Sequence, residues 1–134
     1  MKYLKKMKLL KFGKLQKTNM NIQKIKYTLA HRKSFIMLEK QLLGHNTIRG
    51  LLHDLDKVFL YIILPYQTVH NLHRKYSRHH DKARTYSDYE QMVIDWECAR
   101  LTKPDKPLNA RQTLYKFYPE LKDKILPILN KLNL

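Results

Sequence analysis

NTIRGLLHDLDKVFLYIILP, residues 46–65, has the apolar pattern of an amphipathic helix. Its large apolar side chains recur at the i, i+3, i+4 and i+7 spacing that lines up one helix face. They are Ile48, Leu51, Leu52, Leu55, Val58, Phe59, Ile62 and Ile63. The opposite side carries His53, Asp54, Lys57 and Tyr61. We therefore predict one helix from Asn46 or Thr47 to about Leu64, interrupted by Pro65, with the apolar stripe toward the core.

Helices are also predicted on both sides of this stretch. A first long helix covers about residues 21–43 and ends at Gly44, a residue that suits a helix C-terminus. Its face at helical spacing consists of Tyr27, His31, Phe35, Leu38 and Leu42, which places His31 within an apolar stripe. A further helix covers about residues 66–80. Its inward residues are Val69, Leu72 and Tyr76, and it is dense in histidine.

The C-terminal half has clear helix start and stop signals. Ser87 and Glu90 form an S-x-x-E capping box, which predicts a helix start there. The expected buried face of that helix is Tyr89, Met92, Val93, Trp96 and Ala99. Residues 102–108, which contain two prolines, are predicted to form a loop. Asn109, aided by Gln112, is predicted to cap a helix through Tyr118. Pro119 is predicted to open a last helix with Leu121, Ile125, Ile128, Leu129 and Leu132 inward, which Pro127 must kink or divide.

Length and composition define the fold class. The chain has 134 residues, of which 43% are hydrophobic, and only three are glycine. A domain of this size can bury a core, and few glycines favour helices over sheets with many tight turns. We therefore expect an all-α, compact bundle of about five to seven helices. Residues 1–20 would form a basic N-terminal arm or helix, and residues 21–134 the helical domain.

Positive charge is the most unusual bulk property. The formal net charge is +16, with 27 Lys and Arg against 11 Asp and Glu. Residues 1–38 contain ten Lys, one Arg and no acidic residue. Such a segment attracts polyanions, whether nucleic acid, nucleotides or an anionic membrane. A solvated polybasic helix that only aids solubility is the alternative.

The sequence predicts a cytoplasmic protein without a transmembrane segment. Cys98 is the single cysteine and has no partner for an internal disulfide, which indicates a reducing compartment. Lysines interrupt the N-terminus, so the apolar run of a secretion signal is lacking. Leu4, Met7, Leu10 and Leu15 among these lysines would suit an amphipathic surface helix.

Histidine and aspartate supply the chemistry. Of the seven histidines, five lie between His53 and His80. Imidazole nitrogen with carboxylate oxygen is a ligand mix that suits Mn, Fe, Zn, Co and Ni, and Mg also binds carboxylates. The adjacent His53 and Asp54 can grip one ion, because neighbouring side chains on a helix diverge by only about 100°. Ligands from other helices would complete an open metal site, as hydrolysis requires. The chain has no G-x-S-x-G nucleophile motif and no glycine-rich phosphate loop.

The order of these residues resembles a known superfamily. His31, then H-D-L-D-K at residues 53–57, then Asp95 is similar to the H…HD…D signature of HD-domain metal-dependent phosphohydrolases. The resemblance covers about residues 25–100. The chain is similar in particular to small phage and bacterial proteins with an HDLSK-like helix, a histidine cluster and a later Asp-Trp pair, here Asp95-Trp96. The gap from Asp54 to Asp95 is short for the superfamily, and the N-terminal arm has no counterpart in its core.

The resemblance implies roles for individual residues. The metal ligands would be His31, His53, Asp54 and Asp95. Lys57 would bind the substrate phosphate, and His73, His79 or His80 would hold a second metal or act as an acid. We add from charge alone that Arg74, Lys75, Arg78 and Lys82 would neutralise phosphate oxygens. The implied cofactor is a divalent ion, and the implied substrate a phosphomonoester or phosphodiester, often in a nucleotide.

Each of these residues also has a purely structural interpretation. His53, Asp54 and Lys57 would then be the solvated back of an amphipathic helix, with Asp54 and Lys57 paired at i, i+3. His31 would be a core histidine. Asp95 would be a surface residue near Arg100, and residues 74–84 a solvated basic patch.

Two functions therefore stand at this stage. The first is a metal-dependent phosphohydrolase that acts on a phosphorylated small molecule or a nucleic-acid end. The second is a non-catalytic basic helical protein that binds nucleic acid or belongs to a nucleoprotein assembly.

Overall fold

A computed structural model describes residues 2–103, 105 and 108–134, with the side chains of all these residues except 2–9, 11, 12 and 15. The helices are α1 Lys2–Leu43, α2 Ile48–Leu51, α3 Leu55–Ile63, α4 Tyr66–Tyr76, α5 Tyr86–Thr102, α6 Ala110–Phe117, a 3-10 helix Pro119–Leu121, and α7 Lys122–Lys131. The described residues contain no strand, which confirms the all-α class. Of the predicted loop at 102–108, Pro104, Lys106 and Pro107 lie outside the described residues.

Helix α1 is longer than predicted. It begins at Lys2 rather than near Asn21, because its lysines are good helix formers and nothing in the sequence interrupts them strongly. Its end is as predicted: Gly44 has a φ of +80°, and its N–H donates to the carbonyl of Lys40 at 2.9 Å. Phe35 and Leu38 from the predicted stripe are buried in the core.

The prediction of one continuous helix over residues 46–64 is wrong. Thr47 caps α2 by accepting the N–H of Gly50, but the helix stops after Leu51. Asp54 then adopts a left-handed conformation with φ 55° and ψ 14°, and α3 begins at the next residue. Aspartate tolerates this conformation better than most residues, so the break falls at a residue that can adopt it.

The predicted inside and outside of this segment are also exchanged. Phe59, Ile62 and Ile63 from the apolar stripe are 62%, 68% and 74% exposed. His53 and Asp54, expected on the polar side, are buried instead. The break between α2 and α3 turns these two side chains toward polar partners on other helices. Those contacts offset the cost of burying them, which a helical pattern alone does not report.

Helix α4 also exposes apolar residues that were predicted to face inward. Val69 is fully buried as predicted, whereas Leu72 and Tyr76, which were predicted to face inward, are exposed. The helix ends at Tyr76, and turns rather than helix follow to residue 84. This shape brings His73 inward and lets the next histidines fold back over it.

The core lies between α5 and the helices packed on it. Helix α5 contacts α1, α6 and α7. Fully buried apolar side chains here are Phe35, Val93, Ile94, Leu114, Ile125, Ile128 and Leu129. The Asn109–Gln112 capping box of α6 is confirmed, and α7 continues through Pro127 without division. Among the described residues, no helix combines the length and apolar character needed to cross a bilayer.

Helix α5 is capped differently from the prediction. Thr85, rather than Ser87, is the N-cap: its hydroxyl accepts the N–H of Asp88, and the Asp88 carboxylate accepts the N–H of Thr85. The fully buried carboxylate also accepts from Arg49, at 2.8 Å, and from Arg78. Burial opposes ionisation, but the backbone N–H groups of Thr85 and Arg84 and the two arginines hold the pKa of Asp88 well below its usual 3.8.

We expect Asp88→Asn to lower the free energy of unfolding by about 2–3 kcal/mol at pH 7, because a helix cap and two charged hydrogen bonds are lost. The depressed pKa means that this stabilisation is complete above about pH 4 and fades as the pH falls through the folded pKa. We therefore expect the free energies of unfolding of the wild type and Asp88→Asn, measured with urea from neutral to acid pH, to converge as the pH falls. Glu90→Gln is the matched control, since the contact of Glu90 among the described residues is a long ion pair with Lys131. A larger loss in that control would contradict this cap.

Candidate metal centre

Three parts of the chain meet at a buried cluster of four side chains. Helix α1 provides His31, the turn between α2 and α3 provides His53 and Asp54, and α5 provides Asp95. One ligand atom from each lies within 4.8 Å of every other. The structure therefore brings together the four side chains that the sequence grouped, although they span 64 positions between His31 and Asp95.

The distances inside this cluster are short. The Nε2 atom of His31 lies 2.8 Å from Oδ1 of Asp95, and the Nε2 atom of His53 lies 3.1 Å from the same oxygen. The two Nε2 atoms are 3.4 Å apart. Oδ2 of Asp54 lies 3.6 Å from Nε2 of His53. Two imidazole nitrogens and two carboxylates thus point at one small volume.

Helix α1 holds His53 in place from two directions. The ring of Phe35 stacks on the imidazole with centroids 3.8 Å apart and planes 9° apart. Arg32 donates to the carbonyl of His53 at 2.8 Å and to the carbonyl of Leu51 at 2.6 Å. The turn that presents His53 and Asp54 is therefore tied to the helix that carries His31.

The hydrogen bond of His31 Nδ1, on the side away from the cluster, determines which ring nitrogen carries the proton. The Thr102 hydroxyl donates to the carbonyl of Cys98 at 3.1 Å, so its oxygen accepts from Nδ1–H of His31 at 3.2 Å. In a neutral ring, Nε2 then carries a lone pair directed at Asp95. A lone pair and a carboxylate oxygen repel each other unless a proton or a cation lies between them.

Asp54 carries a polar atom without a hydrogen bond. Its Oδ2 accepts from Lys57 at 2.9 Å, but Oδ1 is buried and unsatisfied. Nε2 of His73 and Nε2 of His79 lie 2.9 and 3.3 Å from Oδ1, so both imidazoles contact it electrostatically, although neither meets it in a well-aligned hydrogen bond. A buried carboxylate oxygen that lacks a well-aligned hydrogen bond is incompletely satisfied, and a cation would satisfy it.

A second histidine cluster adjoins the first at Asp54. His73, His79 and His80 have ligand atoms within 4.8 Å of one another, and Asp54, Asp56 and His73 form a further such group. Nδ1 of His73 lies 2.8 Å from a carboxylate oxygen of Asp56. The two oxygens of Asp54 therefore face different clusters, one toward His53 and the other toward His73 and His79.

Electrostatics keep the carboxylates of this region ionised. Burial would raise the pKa of Asp54, but His73, His79, His53 and Lys57 together hold it well below its usual range. Burial opposes ionisation of Asp95 as well, and the two histidines of the first cluster hold its pKa low. Ionised carboxylate is the form that binds metal.

Burial lowers the pKa of the histidines of the second cluster and of Lys57, whereas nearby carboxylates raise it. Burial lowers the pKa of His80 to about 3, and it also lowers the pKa of His79. Burial works the same way on His73, but Asp54 and Asp56 outweigh it and raise its pKa. The pKa of Lys57 is likewise raised, because the Asp54 and Asp95 charges outweigh burial. His79 and His80 are therefore neutral, which is the ligand form of imidazole.

An open cavity of about 330 Å³ lies over the first cluster. Its walls include His31, Asp54, His73, His80 and Asp95, and its cationic groups are Lys57, Arg74 and Lys103. Aromatic rings from Tyr27, Trp96, Phe117 and Tyr118 complete it. The rings of Trp96 and Tyr118 stack with centroids 4.9 Å apart. A small anionic molecule with a flat apolar part would find both kinds of contact here.

The predicted phosphate-binding residues divide into two groups. Arg74 lines the cavity and donates to the Tyr118 hydroxyl at 3.2 Å. Lys75 and Lys82 lie near the ring of Tyr76, and Arg78 donates to Asp88; these three do not line the cavity. The structural interpretation of Asp95 is not supported, because Arg100 pairs with Glu97 instead.

The sequence did not single out several residues that support the site. Thr102 lies seven positions after Asp95, on the same face of α5, so helical spacing could have linked the two. Asp56 lies within the H-D-L-D-K segment but was given no role. Tyr118 lies at the far end of α6, and no local pattern connects it with Arg74.

The donor set fits a divalent ion. Two or more imidazole nitrogens with ionised carboxylates suit Mn, Fe, Zn, Co or Ni better than Mg, which prefers oxygen alone. The unsatisfied Oδ1 of Asp54 lies where a cation would contact it. Fold and site together define an all-helical protein with buried His/Asp groups that could hold a metal ion.

No protein-family model, no curated protein and no solved structure matches this chain. The distinguishing feature of this chain is the geometry of its site. Two histidine clusters adjoin at Asp54, below a basic and aromatic cavity.

Proposed function

We propose that this protein is a metal-dependent phosphohydrolase of HD-like fold that works in the cytoplasm. The proposal rests above all on the buried, unsatisfied Oδ1 of Asp54 at the junction of two ligand clusters. Its substrate would be a phosphomonoester or phosphodiester, in a nucleotide or at a nucleic-acid end.

His31, His53, Asp54 and Asp95 would hold the ion, and His73, His79 or His80 would hold a second ion or act as an acid. When bound, a divalent ion in such a site acidifies water and polarises a phosphoryl oxygen. The two ionised carboxylates would supply charge, and His79 and His80, whose pKa is lowered by burial, would supply lone pairs without proton loss, whereas His73, whose pKa is raised, would have to lose a proton.

Lys57 and Arg74 would bind the phosphate. Lys57 Nζ is fixed by Asp54 at 2.9 Å, and its side chain is 19% exposed at the cavity. Arg74 lines the same cavity and is oriented by Tyr118. Fixed cations stabilise charge that builds on phosphate oxygens, and they act more strongly where the site excludes bulk water.

Aromatic side chains of the cavity would bind the remainder of the substrate. Tyr27 lies on the α1 side of the cavity, and the stacked Trp96 and Tyr118 lie on the α5 side. A nucleobase is flat and stacks on such rings. This combination of cations and rings favours a nucleotide over a sugar phosphate.

We expect Lys57→Gln to lower kcat/KM for phosphoester hydrolysis about a hundredfold, since one fixed cation is lost from the developing charge. The assay would compare p-nitrophenyl phosphate, bis(p-nitrophenyl) phosphate and nucleoside monophosphates after loading with each candidate metal. Lys75→Gln, which removes a lysine that does not line the cavity, is the matched control. Hydrolysis that survives both Lys57→Gln and Asp54→Ala at full rate would exclude this site as its source.

A second candidate function is non-catalytic binding of nucleic acid. The observation that favours it is the acid-free stretch of residues 1–38, in which Lys14, Lys17 and Lys24 are exposed. Residues 1–20 would then act as a basic arm on a domain formed by residues 21–134. This function requires that oligonucleotide binding survive Asp54→Ala and weaken steeply with salt.

A further inference from the structure

Helix α3 presents an apolar ridge to solvent. Phe59, Ile62 and Ile63 lie at i, i+3 and i+4 on one face, and each exposes more than half of its surface. The ridge exists because the opposite side of α3, with Tyr61, packs inward. Single exposed apolar residues are common, but a row of three on one helix face makes that face a candidate docking surface.

The ridge borders a groove of about 600 Å³ between α1 and the junction of α3 with α4. Ile62 and Ile63 form one wall, and Ile22 and Ile25 of α1 form the other. Asn21 fixes the two walls together, because its amide donates to the carbonyls of Tyr61 and Leu64 at 3.0 Å. The groove is therefore built into the fold.

Lysines accompany this apolar surface. Lys14 and Lys17 line the groove, and Lys24 Nζ lies 5.6 Å from the ring centre of Tyr66, a further lining residue. No acidic residue is among the described residues that line the groove, and the sequence of residues 1–38 contains none. The partner of this surface must therefore be both anionic and able to accept apolar side chains.

Charge and shape select among three partners. A second copy of the chain would bring lysines against lysines, which repel. Nucleic acid would contact the lysines but leave Phe59, Ile62 and Ile63 in water. An anionic bilayer takes up both groups, since lysines lie at its charged headgroups while apolar side chains enter the acyl boundary below them.

We propose that the lysine-lined groove and the apolar ridge form a docking surface for an anionic phospholipid membrane. Ile62 and Ile63 enter the interface, and Lys14 and Lys17 meet the headgroups. This surface does not include the metal clusters, so it does not rest on the proposed hydrolysis.

The test uses the full chain and sedimented vesicles of phosphatidylcholine with and without phosphatidylserine. We expect binding only to the phosphatidylserine vesicles, and Ile62→Ser with Ile63→Ser to weaken it at least about tenfold, because two apolar side chains no longer leave water. Lys14→Gln with Lys17→Gln should weaken binding and flatten its salt dependence. Leu101→Ser is the matched control, since Leu101 is 59% exposed and does not line the groove.

A fluorescence measurement separates insertion from adsorption by charge. Ile63→Trp should shift to the blue on vesicles and be quenched by brominated acyl chains, whereas Leu101→Trp should not; the buried Trp96 supplies a constant background. Binding that the two isoleucine changes leave intact overturns the proposal and indicates adsorption by charge alone. Loss of vesicle binding in favour of an oligonucleotide competitor, without any blue shift, overturns it in favour of nucleic acid. A dimer in solution that dissociates on the same isoleucine changes overturns it in favour of a second copy.

Discussion

Replacing Asp54 with asparagine is expected to lower the affinity for a divalent metal ion by about a hundredfold or more. The change removes the charge of the one carboxylate that faces both histidine clusters, and changes beyond the direct ligands of metal sites already cost about 10–100-fold. It also places an amide beside Nε2 of His73 and His79, where Oδ1 now lies within 3.3 Å of both. Shape is nearly preserved, so the loss reports on charge and coordination rather than on packing.

Elemental mass spectrometry of the purified protein and titration calorimetry with Mn and Zn salts would measure this loss. Asp123→Asn is the matched control, because Asp123 is an exposed aspartate in the first turn of α7. Circular dichroism would establish that both variants remain helical. Equal metal content in wild type and Asp54→Asn would remove the basis for a metal centre at this position.

A methyl group added at Gly50 is expected to destabilise the fold by about 2–4 kcal/mol, through overpacking and lost hydrogen bonds. A Cβ at this position would overlap the carboxylate of Glu39, which is fully buried. That carboxylate accepts from the Thr47 N–H at 2.6 Å, the Thr47 hydroxyl at 2.9 Å and the Gln91 amide at 2.7 Å. A flexible side chain would normally move away, but this one is held by several donors.

The consequence of Gly50→Ala should reach the metal clusters as well. The Gly50 carbonyl accepts the N–H of His53 at 3.2 Å, so a shifted α2 also shifts the turn that presents His53 and Asp54. Urea unfolding would measure the loss of stability, and metal titration would measure the loss of affinity. Gly13→Ala is the same substitution in α1, where a Cβ would meet no described atom beyond its own stretch of helix within 4 Å, and it should stabilise the helix by about 0.5–1 kcal/mol. A similar loss at both glycines would mean that Glu39 yields and that this close approach has no energetic role.

The sequence correctly indicated the four residues that meet in the first cluster, but through a resemblance rather than through the packing pattern. Periodicity placed His53 and Asp54 on the solvent side, while the H…HD…D order placed them with His31 and Asp95. The structure agrees with the second grouping in space. The metal role of these residues stays a proposal that the Asp54 experiment tests.

Local signals explain what the sequence determined by itself. Helix ends at Gly44 and Asn109 were predictable, because a left-handed glycine and an Asn–Gln capping box act within a few residues of chain. The all-α class followed for the same reason, and so did the burial of Tyr89, Met92, Val93 and Trp96. Helix α5 is also buried outside the predicted face, at Gln91, Ile94, Glu97 and Cys98, and Ala99 is only half-buried. The α5 cap was missed by two residues because Thr85 and Asp88 form an equivalent box just upstream of Ser87 and Glu90.

Only the tertiary structure decided which side of α3 is buried. The apolar face of a helix is normally the buried one, because burying the polar face instead would leave its polar groups without partners. Here the polar face meets partners distant in sequence: Asp95 lies 42 positions from His53, and Nε2 of His73, on α4, lies 2.9 Å from Oδ1 of Asp54. Those contacts, together with the left-handed turn at Asp54, hold polar groups inside and leave Phe59, Ile62 and Ile63 in solvent. Local sequence pattern determines where helices form. Which face of a helix is buried depends on whether polar partners from distant parts of the chain offset the cost of desolvating its polar groups.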